Sequence, residues 1–160
     1  MRLSPRPSHL LFKMSANISL PIIGWREWLT LPDLGISRIK AKTDTGARSS
    51  ALHTHDYRVF TENGIEMVRF HIHPLKKANS EELECILPVS GFREVKDSGG
   101  HSELRPFIKT TAKIGDIEWT IDVSLTNRER MKFRMLLGRA AISDHFIVDP
   151  SQSYLLGSKH

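Results

Sequence analysis

The chain has 160 residues, of which 39% are hydrophobic and 26% are charged, a composition that fits one globular domain and excludes a disordered chain. Its formal net charge of +5 favours an acidic partner without choosing between nucleic acid, an anionic surface and an acidic polypeptide. The single cysteine, Cys85, excludes an internal disulfide and a cysteine-rich zinc module, so we expect a cytoplasmic protein.

The N-terminal segment comes first in chain order. Residues 1–14 are expected to be a disordered extension, and residues 15–160 a single domain. The apolar stretch at 10–12 is too short for a signal peptide. No run approaches the about 20 apolar residues of a membrane span, so no membrane partner is expected.

Short runs of apolar, β-branched and aromatic residues dominate the rest of the chain. They predict eight strands, at 19–25, 36–43, 57–61, 66–73, 83–89, 107–114, 117–125 and 133–137. Turn signals lie at 62–64, 97–100 and 115–116, and the last two are typical of hairpin tips. One short helix is predicted near 139–145. The prediction is a mainly β fold, a barrel or sandwich of short antiparallel strands.

The most informative motif is the sequence D-T-G-A at 44–47, which directly follows a predicted strand. Aspartate and glycine are common turn residues, so this motif alone also fits an ordinary turn. A second motif, R-M-L-L-G-R, occupies 134–139, and a predicted hairpin at 93–105 lies between the two. The order is therefore an acidic loop, a hairpin and an apolar-apolar-glycine segment.

This order resembles that of the retropepsin-like aspartic proteases. The match is closer to a bacterial family labelled ATP-dependent zinc proteases, which includes the RimB-like proteins that accompany an ATP-grasp glutamate ligase. The motifs that carry the resemblance are G-W-R-E at 24–27, L-P at 31–32, L-G-I at 34–36, the segment 41–52 with His53, R-P at 105–106, L-T-N-R at 125–128, and 135–139 followed by V-D-P at 148–150.

The resemblance implies a closed retropepsin-like barrel with one short C-terminal helix and a homodimeric aspartic peptidase. Such chemistry needs two carboxyl groups that share a proton. Because the chain carries one D-T-G, Asp44 would meet its symmetry mate on a two-fold axis. Thr45 would join the two loops by hydrogen bonds, and Gly46 would let backbone amides approach the carboxylates.

The same resemblance assigns supporting and substrate-binding roles to other residues. Leu136, Leu137 and Gly138 would pack beneath the aspartate loop. The hairpin at 93–105 would be a mobile flap that closes over substrate, because its polar composition offers few apolar anchors. The expected substrate-binding residues are Ala47, Arg48, Gly99, Gly100 and Arg139.

Arg48 departs from the retropepsin pattern, in which an acidic residue follows D-T-G-A and pairs with the arginine of the glycine-arginine segment. Arg48 and Arg139 are therefore expected to lie close together, and neither can lose its charge. Either a nearby acid such as Asp149 compensates them, or the pair binds substrate carboxylates. The second alternative predicts glutamate-rich peptide substrates and a functional link to a glutamate ligase.

The family label is not supported by cofactor motifs. The chain lacks the glycine-rich phosphate loops of ATP-binding proteins and the H-E-x-x-H motif of zinc proteases, so neither cofactor is expected. Two H-x-H pairs, at 53–55 and 71–73, could each place two imidazoles on one face of a strand. They are interpreted as surface or hydrogen-bonded histidines, and no metal ligand is assigned.

Two other functions stay open at this stage. A basic β module that binds nucleic acid or the ribosome would explain the positive charge without catalysis, although no aromatic-rich RNA-binding pattern is present. A zinc-dependent hydrolase would instead use the H-x-H pairs, and chelators would inactivate it.

Overall fold

The computed structural model describes residues 20–75, 81–97, 99–127 and 132–157. The predicted extension at 1–14 lies outside these residues. Twelve strands form within the described ranges: β1 (Ile22–Gly24), β2 (Arg26–Leu31), β3 (Ile36–Asp44), β4 (Ser50–His53), β5 (Asp56–Glu62), β6 (Ile65–Ile72), β7 (Leu83–Pro88), β8 (Gly91–Lys96), β9 (Ser102–Ile114), β10 (Ile117–Thr126), β11 (Met135–Gly138) and β12 (Ile147–Asp149). A 3-10 turn spans Pro32–Leu34, and one helix, α1, spans Arg139–Ile142.

Six of the strands form a closed ring. Its order is β10-β4-β11-β3-β2-β9, and a long antiparallel pairing between β9 and β10 closes it. Strand β8 extends the ring as a hairpin with β9, while β5, β6 and β7 form a separate three-stranded sheet. Fully buried Ile39, Leu52, Leu125 and Leu137 come from four different ring strands, so the ring is closed around apolar side chains. The predicted mainly β, retropepsin-like fold with one short helix is confirmed.

The sheet is mixed, whereas the sequence predicted antiparallel strands throughout. Three pairs are parallel: β3 with β11, β4 with β10, and β1 with β12. The strands of each pair are far apart in sequence, so no tight turn forces them to run in opposite directions. Strand β11 lies between β3 and β4, parallel to the first and antiparallel to the second.

A buried carboxylate fixes the C-terminal segment to the start of the ring. The side chain of Glu27 is fully buried on β2. It accepts backbone N–H hydrogen bonds from Gly24 (2.7 Å), Leu155 (2.9 Å), Leu156 (3.1 Å) and Gly157 (2.7 Å). These four bonds replace the hydration that the carboxylate loses on burial.

The predicted hairpin at 93–105 is present as β8 and β9, which pair antiparallel from Gly91 with Phe107 to Lys96 with Ser102. Its tip is ordered by Asp97, whose Oδ1 accepts backbone N–H bonds from Gly99 and His101, both at 2.9 Å. Gly100 has φ +85°, a conformation that glycine adopts without strain. The mobility of this hairpin stays a prediction.

Candidate active site

The candidate site is built on the loop that joins β3 to β4. Asp44 is the last residue of β3 and lies in register with Gly138, the last residue of β11. The N–H of Ala47 donates to the carbonyl oxygen of Asp44 at 3.2 Å, so the chain turns immediately after the aspartate. Because β11 lies between β3 and β4, this loop crosses the end of β11.

Glycine at position 138 allows the loop and β11 to approach closely. A Cβ atom added at Gly138 would lie 2.4 Å from the backbone carbon and oxygen of Ser49, a distance that no side chain tolerates. The N–H of Gly138 also donates to the hydroxyl of Ser50 at 2.9 Å. Leu137 is buried beside Gly138, and Leu136 faces the site.

Arg139, at the start of α1, donates hydrogen bonds to the backbone of this loop. Its N–H donates to the carbonyl of Ala47 (2.8 Å), and its guanidinium donates to the carbonyl of Thr45 (2.8 Å). The next residue, Ala140, donates its N–H to the carbonyl of Arg48 at 2.9 Å. The carbonyls of three loop residues, Thr45, Ala47 and Arg48, are therefore bound by the segment that begins at Gly138.

Asp44 borders a cleft of about 380 Å³ that lies between this loop and the β8–β9 hairpin. The cleft is lined by Asp44, Gly46, Ala47, Ser49, Ala51, Val95, Lys96, Asp97, Arg105 and Leu136. Four predicted site residues therefore share this cleft: Asp44, Gly46, Ala47 and Leu136. The other seven predicted site residues lie outside its lining: Thr45, Arg48, Gly99, Gly100, Leu137, Gly138 and Arg139.

The carbonyl of Arg48 accepts the N–H of Ala140, so the backbones of Arg48 and α1 are in contact; a close approach of the Arg48 and Arg139 guanidiniums stays a prediction. The carboxylate of Asp149 accepts hydrogen bonds from the N–H (3.0 Å) and hydroxyl (2.6 Å) of Ser151. These bonds hold the pKa of Asp149 below its ordinary value. Arg139 instead donates to the carbonyl oxygen of Thr45, which is a neutral acceptor.

The sequence analysis assigned Arg105 no role in the site and used it only as the end of the hairpin and as part of the R-P motif of the family resemblance. The side chain of Arg105 is 6% exposed yet lines the cleft. Its Nε donates to Glu103 at 2.7 Å, and its Nη1 lies 3.5 Å from the hydroxyl of Ser124. Tyr57 is near this pair: burial, followed by the Glu103 carboxylate, raises the pKa of its hydroxyl. An R-P dipeptide at the end of a predicted hairpin carries no signal that its arginine is buried.

The H-x-H pairs are involved in local contacts. His71 contacts Asp56 through Nδ1 (2.7 Å) and Glu84 through Nε2 (3.1 Å), and His73 contacts Glu82 at 3.1 Å. In the described ranges, no group of three histidine, cysteine or acidic residues is placed to hold a metal ion.

Cys85 is not placed to act as a nucleophile. Its side chain is buried, its S–H donates to the carbonyl of Leu34 at 3.6 Å, and burial raises its pKa to about 11. A thiol with so high a pKa carries almost no thiolate at neutral pH.

No helix in the described part of the chain is long and apolar enough to cross a membrane.

Comparison with known proteins adds a family to this geometry. Residues 22–159 match the family described as RimB-like, retropepsin-like aspartic endopeptidase RimB. In known structures, a crystal structure of Lpg0085, a protein of unknown function from Legionella pneumophila, superposes with a TM-score of 0.70 at 33% identity. The superposition covers 84% of this chain and 97% of that one.

Curated relatives are longer than this chain. A protein of Desulfotalea psychrophila named probable alpha-L-glutamate ligase is 42% identical over 144 residues, which are 90% of this chain and 31% of that protein. A protein of the same name from Shewanella pealeana is 42% identical over 138 residues, 86% of this chain and 30% of that protein. The chain thus spans about a third of the length of the relatives it matches.

Proposed function

Because the chain belongs to the RimB-like family of retropepsin-like proteins, we propose that it is an aspartic-type endopeptidase that works as a homodimer and hydrolyses acidic, glutamate-rich peptide segments. The observation that carries the proposal is the position of Asp44. Its carboxylate lies at the edge of a cleft, on a loop fixed by Gly138 and Arg139.

A fixed carboxylate in a cleft suits general acid–base chemistry on a peptide bond. In the proposed reaction one carboxylate takes a proton from water, which attacks the scissile carbonyl. A second carboxyl group, in its protonated form, donates a hydrogen bond to the carbonyl oxygen. The C–N bond of the tetrahedral intermediate then breaks, and the proton taken from water passes from the first carboxyl group to the leaving amine. Two such groups need environments that let them share one proton.

The second carboxyl group would come from another copy of the chain. Thr45 is exposed beside Asp44, so its hydroxyl is accessible to a partner loop. A two-fold axis next to Asp44 would bring the two aspartates and the two threonines together, because a two-fold interface pairs the same patch of both chains. One functional dimer would then contain one active site.

An acidic substrate is favoured by three features. The net charge of the chain is +5, and Lys96 and Arg105 line the cleft. Longer relatives named alpha-L-glutamate ligase contain a region similar to this chain. We propose that the region shared with these relatives acts on peptides that contain glutamate.

The proposal is tested with Asp44→Asn, which keeps the shape of the side chain but cannot exchange a proton. We expect hydrolysis of a glutamate-tailed peptide, followed by mass spectrometry, to fall by about 100-fold or more. Asp116→Asn, in the exposed β9–β10 turn, is the matched control and retains activity. Full activity in folded Asp44→Asn, or loss of wild-type activity to a chelator, would contradict an aspartic mechanism.

The dimer is tested by mixing chains. Adding excess Asp44→Asn to a fixed amount of wild type should lower the activity of the wild type, because mixed dimers have one functional aspartate. Sedimentation should give a species of twice 18.2 kDa. Unchanged activity together with a monomer mass would exclude a shared site.

A further inference from the structure

Arg105 combines deep burial with access to the cleft of Asp44. The residue is 5% exposed, and it is in the cleft wall formed by β9. Charged side chains are rarely buried to this extent unless they are fully paired, because removing an ion from water is costly. The hydrogen-bond partners of Arg105 therefore indicate whether its charge is satisfied by the protein.

The protein satisfies only part of the guanidinium. Nε donates to Glu103 at 2.7 Å, and Nη1 has a long 3.5 Å contact with Ser124. The hydroxyl of Ser124 itself donates to the carbonyl of Ser50. Within the described ranges Nη2 donates to no protein acceptor, so the Nη end of a five-donor group has unused capacity.

The other basic residues near the site offer weaker recognition. Arg48 and Arg139 are exposed, and the guanidinium of Arg139 donates to Thr45. Lys96 lines the cleft, but its side chain is exposed and its ammonium is a hydrated point charge. A partly dehydrated guanidinium instead offers planar, directional donors for a carboxylate.

We infer that Arg105 is a specificity-determining residue, whose Nη atoms bind a carboxylate of the peptide held in the cleft. The inference rests on the proposed function, because it takes the Asp44 cleft as the peptide site. It moves acid selectivity from Arg48 and Arg139, for which the sequence suggested it, to strand β9 of the hairpin itself. The carboxylate belongs to a glutamate side chain or to the C-terminus of the peptide.

The test measures binding separately from hydrolysis. Three fluorescent peptides are compared by anisotropy with the full-length Asp44→Asn protein: a tetraglutamate with an amidated C-terminus, a tetraglutamine with an amidated C-terminus, and a tetraglutamine with a free C-terminus. The same three peptides are then measured with double variants that combine Asp44→Asn with Arg105→Gln, Arg105→Lys or Lys109→Gln. Lys109 is an exposed residue of β9 outside the cleft lining, so its variant controls for net charge.

Asp44→Asn is expected to bind one of the carboxylate peptides about 10-fold or more tighter than the amidated glutamine peptide, since hydrogen bonds to charged groups have this strength. Arg105→Gln should reduce that ratio to about one and leave the affinity for the amidated glutamine peptide unchanged. Arg105→Lys should keep a small part of the ratio, and Lys109→Gln all of it. Preference for tetraglutamate identifies a side-chain carboxylate, and preference for the free C-terminus identifies a terminal one.

A ratio that persists in folded Arg105→Gln would overturn the inference, as would equal binding of all three peptides by Asp44→Asn. If Arg105→Gln does not fold, an undiminished ratio in Arg105→Lys overturns it instead. Hydrolysis that survives Asp44→Asn would refute the peptidase proposal, whereas the binding ratio alone decides the role of Arg105.

Discussion

At the scale of single residues, His71 joins two carboxylates on neighbouring strands. Its ring contacts Asp56 of β5 at 2.7 Å and Glu84 of β7 at 3.1 Å. The hydrogen bond to Asp56, with smaller contributions from Glu84 and Glu82, raises the pKa of His71 above its ordinary value. The same bond lowers the pKa of Asp56.

These shifts predict a pH-dependent coupling between His71 and Asp56. The folded protein holds the His71 proton more tightly than the unfolded chain does, so the stabilisation is complete below the unfolded pKa of about 6.5. It is lost as pH rises through the raised folded pKa. It is also lost in acid, as pH falls through the lowered pKa of Asp56.

A double-mutant cycle with His71→Gln and Asp56→Asn measures this coupling from urea unfolding at pH 5.5 and pH 9. We expect a positive coupling energy at pH 5.5 that decreases at pH 9. A coupling that increases with pH would contradict the assignment. The effect should be modest, because the carboxylate of Asp56 is largely exposed.

Arg105 shows where prediction from the residues stopped. The D-T-G-A and L-L-G-R motifs are local patterns, so Asp44 and Gly138 could be linked through the family resemblance. The burial of Arg105 depends instead on contacts such as that with Ser124 of β10, 19 residues away in the sequence, and no spacing in the sequence encodes that contact. The local sequence around a buried arginine does not differ from that around an exposed one, so burial cannot be predicted from it.

At the scale of secondary-structure elements, the contact between β11 and the Asp44 loop predicts an intolerant glycine. In Gly138→Ala the new Cβ would overlap the backbone of Ser49, so the loop must move away from β11. We expect unfolding free energy to fall by about 2 kcal/mol or more, and the activity proposed for the site to be lost. Gly91→Ala on β8, where a Cβ meets nothing within 4 Å, should leave both almost unchanged.

Urea unfolding and peptide hydrolysis of both variants check this prediction. Wild-type stability in Gly138→Ala would show that the loop and β11 are not in close contact. A comparable loss in Gly91→Ala would attribute the effect to glycine replacement in general.

Strand prediction succeeded where long apolar runs occur and failed where strands are short or strongly polar. Seven of the predicted strands overlap β3, β5, β6, β7, β9, β10 and β11. The predicted strand at 19–25 instead ends early at Gly24, and Arg26–Leu31 forms the separate strand β2. In β2 the inward positions alternate along the strand, but one of them is the charged residue Glu27. The hydrophobic alternation that would have predicted this strand is therefore absent from the sequence. β4 and β12 have four and three residues, too few to show a period.

At the scale of the whole molecule, Glu27 of β2 accepts three backbone hydrogen bonds from the C-terminal segment and one from Gly24 of β1. In Glu27→Gln the amide nitrogen would face N–H donors and could accept from none of them. We expect a loss of about 3 kcal/mol of unfolding free energy. Glu118→Gln, exposed on β10, should change it by less than about 0.5 kcal/mol.

Thermal or urea unfolding measures this difference, and proteolysis locates it. Chymotrypsin cleavage after Tyr154, which is half-buried next to the bonded segment, should become faster in Glu27→Gln before the rest of the domain is cleaved. If the variant keeps wild-type stability, the C-terminal segment is not held by this carboxylate.

The insertion of β11 between β3 and β4 also orders events during synthesis. Strands β3 and β4 leave the ribosome early, but in the described sheet they are joined through β11 rather than to each other. Contacts between distant segments form only after the last of them is available. A nascent chain that has reached β10 therefore carries Asp44 on an unanchored loop. The carboxylate acquires its fixed position when Gly138 and Arg139 emerge, so the activity proposed for the site would begin only after this segment has been synthesised.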